Sequence, residues 1–278
     1  MDQILHTGLD IRKNIATAAL TECTRALQKN KITNRAELME KMSLDHITLG
    51  LHAWFVEKNM AGLKQHFYLS GKLNLASLDL PQQDAEKKKA RFLSALFSDH
   101  GEIIQRFALL ESRPLYKGKP QANRLPHHAH LLQLALRAEH HELDRQLATV
   151  GEHCVERSSA SEHEILPGPD FYVRLLQRDR SALEALILSH ANQREAALVK
   201  RRRPESTLIG HYMASSALKV KLCWMKGIPV EVDHRLVPMP LMPVSPLSNY
   251  EEPYAFLSRK SGVLHWVKRM GGLMRASA

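Results

Sequence analysis

No stretch of about 18 consecutive apolar residues occurs in the sequence, so no segment reaches the length a membrane-spanning helix requires. Cysteine is scarce. Cys23, Cys154 and Cys223 are odd in number and far apart, which excludes the close pairs of a zinc site or a redox dithiol and points to buried, reduced thiols. HExxH, a glycine-flanked serine and a glycine-rich phosphate loop are all missing, and with them the usual signatures of zinc proteases, serine hydrolases and nucleotide-binding loops. The first residues place Asp2, His6, Asp10, Arg12 and Lys13 where a secretory leader needs an uninterrupted apolar core. A cytoplasmic protein is expected.

What the sequence does have is positive charge, histidine and helical periodicity. Lysine and arginine total 39 against 29 acids, a formal charge of +10. Clustered cations gain affinity for nucleic acid by releasing counterions from phosphates. The segment 258–278 alone holds Arg259, Lys260, Lys268, Arg269 and Arg275 and no acid, so much of the excess belongs to a basic tail. That tail reads either as a short amphipathic helix or as a flexible segment, since Gly262, Gly271 and Gly272 limit any helix in it. The densest basic cluster, Lys200, Arg201, Arg202 and Arg203 before Pro204, reads either as a solvated helix end or as a face for an acidic partner or phosphates. Sixteen histidines raise a metal site as a possibility, with His127, His128, His130, His140 and His141 close in sequence. No Glu-x-x-His pair is repeated on partner helices and no cysteine completes a tetrahedron, so surface or capping roles are expected and no metal or cofactor. His46 and His52, six apart, lie too far round a helix to share a ligand.

Apolar residues Ile11, Ile15, Ala18, Ala19 and Leu27 recur at helical steps between Leu9 and Lys29 and predict a first helix with that stripe buried. Asn34 and Glu37 have the spacing of a capping box and predict a second helix start. Ile47, Leu51, Trp54 and Phe55, then Leu63, Phe67 and Leu73 beyond a polar break at Lys58-Asn59, extend the helical series. Residues 77–89 read as a polar loop into a helix toward Phe97, and 113–126, with three prolines and a glycine, as a long connection or subdomain boundary. A shift of 40 residues superposes Leu131 on Phe171, Leu132 on Tyr172, Leu136 on Leu176, Leu143 on Leu183 and Leu147 on Ile187. Each copy reads as two helices about a polar turn, at Glu139-His140-His141 and at Arg178-Asp179-Arg180. The expectation is an all-α array of antiparallel helical hairpins, repeat-like, within one domain over residues 1–257.

Leu208, His211, Ser215, Leu218, Leu222 and Met225 predict a mostly buried helix ending near Lys226, where Gly227 suits a left-handed cap and Pro229 forbids continuation. Ile228, Val230 and Val232 alternate with Pro229, Glu231 and Asp233, and Pro238, Pro240, Pro243 and Pro246 follow. Each proline removes a donor and extends its predecessor. This is an extended C-terminal arm, and its apolar residues Leu236, Val237, Met239, Leu241, Met242 and Val244 are expected to wrap it over the helical body. Glu231, Asp233, Glu251 and Glu252 make it locally acidic, and with Arg201, Arg202 and Arg203 they are the candidate partner contacts.

The run YMASSALKVKLCWMKGIPVEVDHRLVPMPLMPVSPLSNYEEPYAFL, residues 212–257, resembles the C-terminal signature of the immunity protein 49 family of bacterial polymorphic toxin systems. The shared order is a helix ending in an aromatic and a glycine turn, a Val-Glu-Val-Asp piece, a leucine-proline arm and a Tyr-acid-acid-Pro-Tyr-x-Phe-Leu closure. Upstream, the Ala53–Phe55 and Tyr68–Leu73 pieces are similar in kind. The resemblance implies an all-helical, non-catalytic protein that binds a cognate toxin encoded nearby and occludes it. It implies no particular contact residues. Two other readings stand beside it: a basic helical-repeat protein that binds nucleic acid, and a metal-dependent hydrolase built on the histidines.

Overall fold

The computed structural model describes residues 2–29, 34–78, 92–110, 125–151, 167–200, 216–235 and 237–258. Among these residues every regular element is helical. The helices are α1 (Asp2–Gln28), α2 (Arg35–Phe55), α3 (Met60–Leu78), α4 (Phe92–Ser98), α5 (Gly101–Ala108), α6 (Leu125–Arg137), α7 (His140–Gly151), α8 (Pro169–Gln177), α9 (Arg180–Lys200), α10 (Ser216–Met225) and a short α11 (Ala255–Ser258). A 3-10 turn at Met239–Leu241 punctuates the arm. The supposed connection around 113–126 falls almost wholly outside the described residues, as do the residues from Leu208 to Ser215, Leu236, Cys154 and the tail beyond Ser258.

The first helix is where expected, and of its expected stripe Ala19 and Leu27 are buried but Ile11, Ile15 and Ala18 are not. Leu9, Ala16, Ala19, Leu20, Cys23 and Leu27 face the core, while Ile11 and Ile15 are 57% and 64% exposed and Ala18 is exposed. Two overlapping helical stripes occur in this segment, and the small residues Ala16, Ala19 and Cys23 won the inner position because they let α1 lie close against α2. The capping box is also corrected. Asn34 has φ −104° and ψ 36°, and its side chain caps nothing. Only an extended residue aims its side-chain oxygen at the N–H groups of the first turn, and Asn34 is not extended.

The most intimate pairing is α2 with α3. A Cβ at Gly50 would stand 2.7 Å from the Phe67 ring, so glycine sets that approach. Leu63, Phe67 and Leu73 are all buried, and one apolar cluster runs from Leu9 to Tyr254. Cys23 and Cys223 are buried free thiols within it.

The helical turns share one construction. Among the described residues, Lys58, Asp99, Ala138 and Arg178 are the non-glycine residues with positive φ, between 54° and 58°. Each is followed by one residue and then a helix start: Asn59, His100, Glu139 and Asp179 precede α3, α5, α7 and α9. The carbonyls of those four residues accept from the N–H of Leu63, Ile104, Leu143 and Leu183 at 2.9–3.1 Å. Asn59, His100 and Asp179 also accept the N–H three residues on through their side chains. In the 40-residue echo, both α6 and α8 end immediately before the left-handed residue, and all five superposed pairs are buried or packed on the core.

Helix α10 ends as expected. Gly227 has φ +68°, Gly227 N–H meets Trp224 carbonyl and Ile228 N–H meets Cys223 carbonyl, the paired bonds of a Schellman cap. Arg178 donates to the Lys226 and Gly227 carbonyls, so an α8–α9 turn residue steadies this joint. Beyond it Ile228, Val230, Val232, Val237, Leu241 and Met242 are buried and the intervening residues mostly are not. Val244 departs from expectation at 51% exposed. It lies between Pro243 and the anchored Ser245, where the extended backbone turns alternate side chains outward.

Candidate functional site

The arm is held by a buried ionic knot. Asp99, at the left-handed position between α4 and α5, meets Lys221 of α10 at 2.5 Å through Oδ1 and Lys64 of α3 at 2.9 Å through Oδ2. Neither Asp99 nor Lys221 has an exposed side chain, and that of Lys64 is nearly covered. Two ammonium groups against one carboxylate leave a positive charge, and arm carbonyls share it. Lys221 Nζ donates to the carbonyls of Leu241, Met242 and Pro243 at 3.0, 3.3 and 3.2 Å, and Lys64 Nζ donates to that of Ser245. Ser245 N–H in turn donates to Asp99 Oδ2 at 3.2 Å. Prolines have freed this arm of ladder bonding, so its carbonyls are available to solvate buried lysines. Burial pushes the Lys221 amine down and Asp99 works against that shift.

Beside the knot lies an open cleft of about 480 Å³, lined by Tyr68, His100, Gly101 and Glu102 on the helical side and by residues 246–250 and Glu252 on the arm. Three rings meet there: Tyr68 to His100 at 4.7 Å, and Tyr250 to each of them at 4.8 Å between centroids. His100 Nδ1 accepts the Ile103 N–H at the start of α5, so its Nε2 carries the proton, and burial lowers its pKa. Tyr250 donates to the Ser98 carbonyl and accepts from Leu247 N–H. Glu252 accepts from Tyr68 at 2.5 Å and pairs with Lys72, whose ammonium stands 5.7 Å from the Tyr68 ring centroid. Burial and then Glu252 push the Tyr68 hydroxyl well above its ordinary range.

The closing Tyr254 donates to or accepts from His46 Nε2 at 2.7 Å, and His46 Nδ1 lies 3.0 Å from His66 Nδ1. Burial holds His46 down at about 3 and His66 at about 4. His52 instead meets Asp10 and Glu57. A further chain runs outward from the buried Lys219 Nζ to His190 Nδ1 at 2.7 Å, with the exposed Asp170 3.9 Å from His190 Nε2. Burial lowers Lys219 to about 8.

The sequence-derived contact residues separate into three groups. Arg201, Arg202 and Arg203 lie outside the described residues. Glu231 pairs with Arg180 at 3.6 Å, its N–H is taken by Glu184, and Asp233 is exposed two residues on. Glu251 is exposed with its backbone clasped by Gln65, and Glu252 belongs to the aromatic cleft. Of the four acids, Glu231 meets α9, Glu252 meets α3 through its side chain and Glu251 through its backbone, and Asp233 is exposed. Among the described residues no cluster of three His, Cys, Asp or Glu side chains has the geometry to hold a metal ion, and no helix is long and apolar enough to cross a membrane.

Sequence reasoning missed Lys64, Asp99 and Lys221. A lysine flanked by Val220 and Leu222 inside an apolar helix was the available signal, since an unpaired buried amine is costly. No family model, curated protein or solved structure matches the chain.

Proposed function

We propose that this protein is a bacterial immunity protein that binds a cognate toxin encoded nearby and neutralises it by occlusion, without catalysis, in the cytoplasm. The observation that carries the reading is the C-terminal run from Tyr212 to Leu257, whose order of rare elements resembles the immunity protein 49 signature. The residues that carry the resemblance have structural work. Trp224 bonds the Val230 carbonyl, Gly227 caps α10, and Tyr250, Glu252 and Tyr254 each clasp a helix of the body. Such a signature marks a shared scaffold, while the surface beside it is free to suit a particular toxin. A folded helical body with a stapled arm also suits a rigid inhibitor, which loses little order on binding.

Co-expression with the product of the adjacent toxin gene tests the reading. The expected result is restored growth and a one-to-one complex in size-exclusion chromatography with light scattering. Growth arrest that persists at saturating levels of this protein, with no complex formed, overturns it.

A further inference from the structure

We propose that the cleft between α3, α5 and the 246–252 turn receives an arginine side chain presented by a protein partner. Identifying that partner as a toxin rests on the preceding section, but the chemistry of the cleft does not. Its lining holds two carboxylates, Glu102 and Glu252, and neither lysine nor arginine, in a chain whose formal charge is +10. Burial lowers the His100 pKa and so favours its neutral ring. Lys72 already pairs with Glu252, so the charge the cleft offers a ligand is that of Glu102.

The protein already uses this chemistry once. Lys72 places its ammonium near the Tyr68 ring and on Glu252, satisfying one carboxylate with a cation and one ring with a cation–π contact. On the opposite wall Glu102 exerts its field on both Tyr68 and His100, and among the described residues no cation pairs with it. The remaining aromatic surface belongs to His100 and Tyr250, set nearly perpendicular at 80°. A flat guanidinium can lie on one ring while its edge donates to Glu102, a combination that an ammonium matches less well. The volume is ample for a guanidinium and its stem, and the open, polar lining does not suit an apolar small molecule.

An anion is disfavoured although α5 starts here. The Ile103 N–H is taken by His100, and Glu102 already places a negative charge in the first turn.

Gly101 provides a clean steric probe. It lines the cleft, and a Cβ built on it meets nothing within 4 Å, so Gly101→Leu adds bulk at the cleft wall without a clash at Cβ. Titration of the full-length protein with N-acetyl-argininamide, followed by NMR of the His100 and Tyr250 rings, is the test. Saturable shifts are expected, with affinity on the order of millimolar and roughly threefold to fivefold weaker for N-acetyl-lysinamide. Gly101→Leu and Glu102→Gln should abolish or weaken the response while leaving thermal unfolding unchanged. No saturable shift with the arginine probe, or shifts undiminished in both variants, overturns the proposal. Should the probe bind as described and the toxin co-expression fail, the cleft stands and the immunity reading falls. Rescue undiminished by both variants, in a protein that does not bind the probe, refutes the cleft alone.

Discussion

Asp99 is the one carboxylate that faces two buried lysines, and removing it leaves both amines without their counter-charge. Breaking a buried ion pair from one side costs about 3–5 kcal/mol, more than the intact pair contributes over an apolar replacement. Asp99→Ala should therefore lower stability by about that amount in urea unfolding, and adding Lys64→Met and Lys221→Met, which removes both stranded amines, should recover part of it. Histidine sets a second residue-level expectation. His46 and His66 have folded pKa values of about 3 and about 4 against about 6.5 when unfolded, and burial also lowers His100 and His190. Between pH 6.5 and 4 the unfolded chain binds protons that the folded chain refuses, so stability is present above pH 6.5 and falls as the medium is acidified. The urea midpoint should drop between pH 7 and pH 5, and His46→Gln should flatten that slope. The carboxylates lowered by partners, such as Glu57 and Glu142, act below this window, and Asp45, raised by burial, opposes the trend only weakly there.

At the scale of elements, α1 offers the sharpest test because its composition allowed two buried faces. Leu9→Ala should cost about 2–5 kcal/mol as a core truncation, and Ile11→Ser or Ile15→Ser should stay within about 0.5 kcal/mol. The reverse pattern would show that the isoleucine stripe is the inner one. Most helices were legible from periodicity, and the end of α10 was legible because Gly227 and Pro229 act locally. The inner face of α1 was not, because choosing between stripes depends on how closely α2 can approach. Asn34 failed for a related reason: a capping pair at the right spacing works only if the backbone is extended there. The cleft was illegible except for Glu252, since its walls come from positions 68, 100 and 250, and nothing local links them. The knot was illegible for the same reason. Its residues sit at 64, 99 and 221, and only the oddity of a lysine within an apolar helix hinted at it.

At the scale of the molecule, the arm completes a body that its helices leave unfinished. Val237, Leu241, Met242 and Tyr254 supply core, and Ser245 closes the knot. A chain lacking residues 237–258 should lose cooperative unfolding and expose apolar surface, read as dye binding and a broadened melting curve. Retention of a sharp transition near the full-length midpoint would contradict this. The four left-handed turns at 58, 99, 138 and 178 recur at nearly even intervals, and one of them doubles as the centre of the knot. The same backbone device thus carries an anchoring side chain twice, Asp99 in the knot and Arg178 on the end of α10.

That anchor has a consequence for synthesis. Asp99 and Lys64 leave the ribosome long before Lys221 and Ser245, so during translation the nascent body carries a carboxylate and an amine awaiting partners more than a hundred residues away. A stretch made much later thus seals the first half. A chain cut short before residue 237 would hold helices without that lock. If this protein guards against a toxin made by the same cell, protection begins only when the final residues of the arm have been released.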